Sequence, residues 1–279
     1  MAIPLRILQA YPSEDILYYR ILMAVLLLWL FILVFRKDSV RADLDHYKHL
    51  SRQEKKRSFR LALYASILIF ANWYTFIYAI NHVSIQSAAL AYMICPLITT
   101  FAAYFILKEA LTLLKKIGLL LALVSCLLLA TASLIDIAWA LFTATSYAFY
   151  LILQRVFQGF DKLNVLALQL AICTIFVIPL LLFSGHAVPT DKMFWEMIVL
   201  IAIVFTIIPL YLSMYALTKI SSSTTGVLLY INPVIAFLLA IFYFKESIEA
   251  YKYFAYGLLI MAIIVFNWKT LHSVLRSKR

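Results

Sequence analysis

Nine mostly apolar stretches follow one another along this chain, at 16–35, 61–81, 85–107, 112–132, 135–157, 164–184, 194–217, 222–244 and 249–268. Each is about twenty residues or longer, the length a helix needs to cross a bilayer core roughly 30 Å thick. Period-2 alternation is absent and the runs outlast barrel strands, so helices are the spanning structure that satisfies their backbone groups. The expected fold class is all-α, a polytopic membrane helix bundle of nine spans. Composition agrees: 65% of the 279 residues are hydrophobic and 13% are charged, too few for the surface of a soluble domain this size.

The net charge of +11 would suggest nucleic acid in a soluble protein. Here the basic residues sit between apolar runs, with no aromatic-interleaved basic domain outside them, so they read as orientation signals and nucleic acid is not an expected partner. The stretch 36–60, a surface helix or loop, holds nine of them: Arg36, Lys37, Arg41, Lys48, Arg52, Lys55, Lys56, Arg57 and Arg60. Placing that stretch in the cytoplasm and alternating sides puts 19 of the 24 Lys and Arg inside. The N-terminus is then outside and the C-terminus cytoplasmic, as in a bacterial-type inner membrane. Residues 1–15, with Pro4, Arg6, Pro12, Glu14 and Asp15, contain no run long enough to span and no signal-peptide pattern.

Residues 78–109 overlay 215–246 at a constant offset of 137 with ten identities. Tyr78-Ala79 falls on Tyr215-Ala216, Ser84 on Ser221, Pro96 on Pro233, and Lys108-Glu109 on Lys245-Glu246. The shared register of these polar and Pro positions marks a duplication. It relates the third run to the eighth with an odd number of crossings between them, so the two copies run in opposite directions. Such inverted-topology repeats characterise secondary transporters, with substrate sites near the midplane. The repeats are expected at 1–132 and 133–279. The first has four spans against five in the second, so one helix is expected ahead of residue 4, for ten spans in the full gene product. Leu8-Gln9 matches Leu153-Gln154 at the end of the corresponding span.

Within this frame three segments carry a family resemblance: Glu14-Asp15-Ile16-Leu17-Tyr18-Tyr19-Arg20, Ala71-Asn72-Trp73-Tyr74-Thr75-Phe76, and Ala91-Tyr92-Met93-Ile94-Cys95-Pro96-Leu97. With the paired apolar-Lys-Glu endings, they resemble the EamA-type drug/metabolite transporter superfamily, and within it the RarD-like permeases. The resemblance covers the chain from Pro4 on. It implies ten helices in two inverted five-helix units, the first here one helix short. It also implies movement of a small organic molecule, without specifying which.

The candidate site residues follow from position and chemistry. Pro96 and Pro233 each remove a backbone N–H mid-span and clash with a carbonyl four residues back, at Tyr92 and Leu229. Matching kinks in two repeats point to a binding site, or else serve packing alone. Asn72 and Trp73 lie mid-span, where an amide either bridges helices or faces a cavity. Thr143, Tyr147, Tyr150 and Gln154 share one helical face, and Tyr211, Tyr215 and Thr218 form a second stripe. With Phe76, Tyr92, Tyr230 and Asn232 these could hold a planar substrate by stacking and hydrogen bonds. Arg20, Glu109 and Glu246 read as structural anchors at span ends.

Cys95, Cys126 and Cys173 lie inside apolar runs without metal-ligand spacing, so no metal and no cofactor are expected. The five histidines fall outside or at the edges of the runs, and neither HExxH nor Walker motifs occur, which argues against a membrane enzyme. No carboxylate lies mid-span, the nearest being Asp136 at a helix start, so a buried carboxylate relay is not supported. The expected function is a permease for a small molecule, with the bilayer as its other partner. The alternative is a channel or a structural or receptor membrane protein, and no sequence feature sets the oligomeric state.

Overall fold

The computed structural model describes residues 4, 7–83, 85–129, 133–242, 245 and 249–269. Among them the chain is helical and shows no strand. The elements are α1 (Ser13–Phe35), α2 (Lys37–His49), α3 (Arg52–His82), α4 (Ile85–Leu107), α5 (Leu113–Leu129), α6 (Leu134–Val156), α7 (Lys162–Phe183) and α8 (Lys192–Ala202). A π-helical turn, Ile203–Ile207, leads into α9 (Ile208–Lys219), followed by α10 (Ser222–Leu228), α11 (Ile231–Phe242) and α12 (Ala250–Phe266). Every expected apolar run contains helix. Six segments are long and apolar enough to cross a membrane: Ser13–Phe35, Arg52–His82, Ala89–Leu107, Leu134–Val156, Lys162–Phe183 and Lys192–Lys219. Ala250–Phe266 is apolar but shorter. The protein is a polytopic helical membrane bundle.

Two runs are less regular than expected, and a proline explains each. Residues 222–244 do not form one helix: α10 stops at Leu228 and α11 begins at Ile231. Pro233 cannot donate to the Leu229 carbonyl and its ring crowds that group. The carbonyl turns instead to the Asn232 N–H at 3.0 Å, while Leu229 N–H reaches Gly226 O and Tyr230 N–H reaches Val227 O. These three-residue bonds tighten the chain at the break. The related Pro96 leaves α4 continuous. There the Thr99 and Thr100 hydroxyls donate to the Cys95 and Pro96 carbonyls at 2.8 Å each. The π turn precedes Pro209, whose missing N–H removes the bond to Phe205 O. Ile208 N–H instead reaches Ile203 O, and the Thr206 hydroxyl donates to Ile201 O at 3.2 Å.

The expected surface stretch 36–60 is helical. It comprises α2 and the start of α3, with Leu50 and Ser51 between them.

By compactness the chain forms two units, each assembled from two separate stretches: residues 1–77 with 153–219, and 78–152 with 220–279. In the first, α1 packs on α7 and α8. Leu8, Ile16, Tyr19, Phe194, Ile198 and Ile201 form a buried cluster there, with Tyr19 edge-on to both Phe194 and Trp195. In the second, α12 packs on α5 and α10 on α4. Both contacts need glycine. A Cβ on Gly118 would stand 2.8 Å from Phe266 Cβ, and one on Gly226 would stand 2.9 Å from Thr99 Cβ.

Candidate functional site

In the first unit the candidates lie on α1, α3 and α9. Arg20 is buried (6% exposed), and its guanidinium carbon sits 5.0 Å from the centre of the Trp73 ring. A cation over an indole face is attracted by the ring quadrupole, more strongly as water is excluded. Arg20 lies within α1, against the Trp73 ring. Asn72, Trp73 and Phe76 are half-buried on α3, and the Thr75 hydroxyl bonds back to Ala71 O at 2.6 Å. Beside them Phe70 stacks on Tyr74 and on Phe176. On α9 the rings of Tyr211 and Tyr215 stack 6.3 Å apart, with Tyr215 51% exposed.

The first unit also holds polar groups that sequence reasoning missed. Asp15, buried in the first turn of α1, bonds His186 Nδ1 at 2.9 Å. Tyr11 donates to Asp191, and burial followed by that carboxylate's charge raises the Tyr11 hydroxyl above its ordinary value. Gln154 Nε2 donates to Gln169 Oε1 at 2.7 Å, joining α6 to α7. Gln154 thus ends its stripe as a helix bridge. On the polar side Arg36 pairs with Asp161 at 3.0 Å, while Asp43 accepts from Asp161 N–H at 3.1 Å and from Asn164 Nδ2 at 2.7 Å. The sequence shows Arg36 only as an orientation signal, because its partner Asp161 is 125 residues away.

In the second unit Tyr147 and Tyr150 stack on α6 with centroids 5.8 Å apart. Tyr150 is buried, as is Thr143 one face-length earlier. Tyr92 on α4 and Asn232 on α11 are exposed. Tyr230, a candidate cavity residue, lies like Tyr150 among the fully buried side chains. It is wholly buried among Met93, Leu97, Cys126, Leu259 and Phe266, with its hydroxyl 4.0 Å from Cys126 Sγ. The break at Leu229–Tyr230 turns that ring inward.

Pro96 is buried and Pro233 half-buried. Glu109 lies just beyond α4. It accepts from Ser222 N–H (2.6 Å), Ser223 N–H (3.0 Å) and the Ser223 hydroxyl (2.7 Å), while Lys115 Nζ donates to Ser221 and Ser223. The carboxylate thus supplies the partners that the first amides of α10 lack. Glu246, its counterpart in the repeat, lies outside the described residues. The preceding residues, Lys108 and Lys245, are both left-handed, with φ of 56° and 52°. Non-glycine residues adopt this conformation rarely, so the offset of 137 is matched in backbone geometry as well as in residue type.

The first unit offers stacking, an amide and a buried guanidinium, and the second offers a stacked pair of tyrosines and an exposed amide. Among the described residues no three His, Cys, Asp or Glu side chains gather to hold a metal. Comparison with known proteins decides the family. The model of the EamA-like transporter family matches twice, over residues 3–131 and 134–268.

The chain belongs to the EamA-like transporter family.

Individual proteins are also similar to it along most of their length. An uncharacterized transporter of Bacillus subtilis, YojE, is 28% identical over 274 residues, spanning 94% of this chain and 87% of its own. The protein RarD of Escherichia coli is 26% identical over 273 residues, 96% of this chain and 89% of its own. An uncharacterized transporter of Vibrio cholerae reaches 31% over 221 residues, 76% and 71% of the two chains. A solved crystal structure at 17% identity superposes with a TM-score of 0.74 over 96% of this chain and 92% of the other. At that identity the likeness is one of fold. This EamA-like chain is a multi-pass membrane transporter.

Proposed function

We propose that the protein is a secondary transporter, a permease that moves a small organic metabolite or drug across the cytoplasmic membrane by alternating access. The observation that carries this reading is the duplication. The family model matches two successive segments, and residues 137 apart, Lys108 and Lys245, share the same rare backbone conformation. Repeats at 1–132 and 133–279, related through an odd number of crossings, run in opposite directions, and two such units can open a shared site alternately to each side. The basic bias of 36–60 favours a cytoplasmic placement of that stretch and of the C-terminus. The proposed substrate contacts are Asn72, Trp73, Phe76 and Tyr211 in the first unit and, separately, Tyr147 and Tyr150 in the second. Arg20 holds Trp73, and the two prolines are points of bending. Stacked aromatic rings and amides suit a planar or aromatic solute.

The test is an uptake screen of metabolites and drugs into proteoliposomes. Saturable counterflow is the expected result, and an ohmic current would favour a channel. Asn72→Ala and Tyr150→Ala should lower transport of the hit compound while the protein still inserts. Wild-type rates in both would remove these residues from the site.

A further inference from the structure

Helix α2 has no buried residue, yet it is strongly amphipathic. At about 3.6 residues per turn its side chains fall into stripes. Ser39, Asp43 and His46 share one side, and it is docked: Asn164 donates to Ser39 and Asp43, and His46 packs edge-on against Phe160 at 5.1 Å. The neighbouring stripe is Val40, Leu44 and Tyr47, with Val40 half-buried, Leu44 53% and Tyr47 37% exposed. The stripe beyond that is Lys37, Arg41 and Lys48. Asp38 and Asp45 point away from the apolar stripe. The order is docked face, bare apolar stripe, cations, then acids on the far side.

Connectivity says what lies against the bare stripe. α1 is long and apolar enough to cross the membrane and ends at Phe35, two residues before α2 begins. α3 has 31 residues, about 46 Å at 1.5 Å per residue, against a hydrocarbon core of roughly 30 Å. Its first two or three turns, carrying Arg52, Lys55, Lys56, Arg57 and Arg60, therefore stand at headgroup level. Lys55 bridges the two helices: its ammonium lies 5.8 Å from the Tyr47 ring centre and donates to Lys48 O at 2.8 Å. Between 36 and 60 the nine Lys and Arg face four carboxylates, Asp38, Asp43, Asp45 and Glu54. Asp43 is engaged by Asn164. The Arg41–Asp38 and Lys48–Asp45 pairs are exposed, and such pairs hold their cations weakly.

We propose that α2 is an interfacial helix that lies in the bilayer surface, sinks Val40, Leu44 and Tyr47 to the acyl boundary, and binds anionic lipid headgroups through Lys37, Arg41, Lys48 and the basic start of α3. Apolar area and attraction to anionic lipid together set the strength of such binding.

The test uses the whole chain in nanodiscs of phosphatidylcholine alone and of an equimolar mixture with phosphatidylglycerol. A nitroxide is attached at Leu44→Cys, and separately at Tyr47→Cys and Asp38→Cys. The three native thiols are buried and stay unlabelled. Labels at 44 and 47 should collide with oxygen more than with a water-soluble nickel complex, and the label at 38 the reverse. Phosphatidylglycerol should shift the labels at 44 and 47 further toward immersion. Lys37→Gln, Arg41→Gln and Lys48→Gln together should diminish that shift, on the order of fivefold in the immersed-to-lifted ratio per cation removed, with the cations of α3 left to supply the rest, while the label at 44 stays immersed in phosphatidylcholine. The proposal is overturned by labels at 44 and 47 as open to nickel as the label at 38, since the stripe would then face water or a protein. It is overturned equally by immersion that ignores phosphatidylglycerol, or by a triple variant that responds to it as fully as the unaltered helix.

Discussion

The Glu109 carboxylate accepts the backbone N–H of Ser222 at 2.6 Å, so the end of α4 caps the start of α10. Three donors converge on that one group, and Lys115 closes the arrangement through Ser221 and Ser223. Glu109→Ala strands two amides at a helix start that is largely buried. A loss of about 1–2 kcal/mol is expected, read as a lower thermal midpoint of the detergent-solubilised protein. Glu109→Gln, which keeps one acceptor oxygen, should lose less. Equal midpoints for all three proteins would show that α10 starts without this cap.

Gly118 and Gly257 make a matched pair for testing helix contact. The first meets Phe266 and the Ala262 carbonyl, and the second has nothing within 4 Å of a Cβ. Gly118→Ala should destabilise by about 1–3 kcal/mol, the ordinary penalty for overpacking. Gly257→Ala should be neutral or slightly stabilising, because alanine favours the helix. A thermal-shift comparison decides it, and a larger loss at Gly257 than at Gly118 would contradict the α5–α12 packing.

Arg20 and Trp73 should show coupling in a double-mutant cycle. Arg20→Met and Trp73→Leu each remove the cation–aromatic contact. The double variant should therefore be less destabilised than the sum, by about 0.5–2 kcal/mol. Additive losses would mean that the two side chains are stabilised separately.

The thiols offer a check on the packing of both units. Cys95, Cys126 and Cys173 are all free and buried, and in the first unit Cys173 donates to Ser66 O at 3.4 Å. A membrane-permeant maleimide should label none of them in the folded protein and all three after denaturation. Fast labelling in native membranes would show that the helices around that thiol are loose.

Reading the chain from its sequence located the helices well, because length and apolarity are local properties. Their interruptions were less legible. Pro233 announces a disturbance, but whether α10 and α11 bend or part depends on which N–H takes the Leu229 carbonyl. Pro209 likewise gives no sequence sign of the π turn that precedes it. Candidate tyrosines of like chemistry have unlike surroundings. Tyr150 is buried and stacked, Tyr215 is open, and Tyr230 fills the core beside Cys126. No periodicity argument could have joined Asp15 to His186 or Asp43 to Asn164, since helical spacing says nothing of partners from distant helices.

Neither compact unit is continuous in sequence, and this bears on how the chain is made. Residues 1–77 have to wait through the synthesis of 78–152 before their partners at 153–219 leave the ribosome. The early helices must hold their places in the lipid with much of their eventual packing surface bare. Severing the gene between the two repeats would leave both fragments holding parts of both units. Function would then return only when the fragments are produced together in one cell.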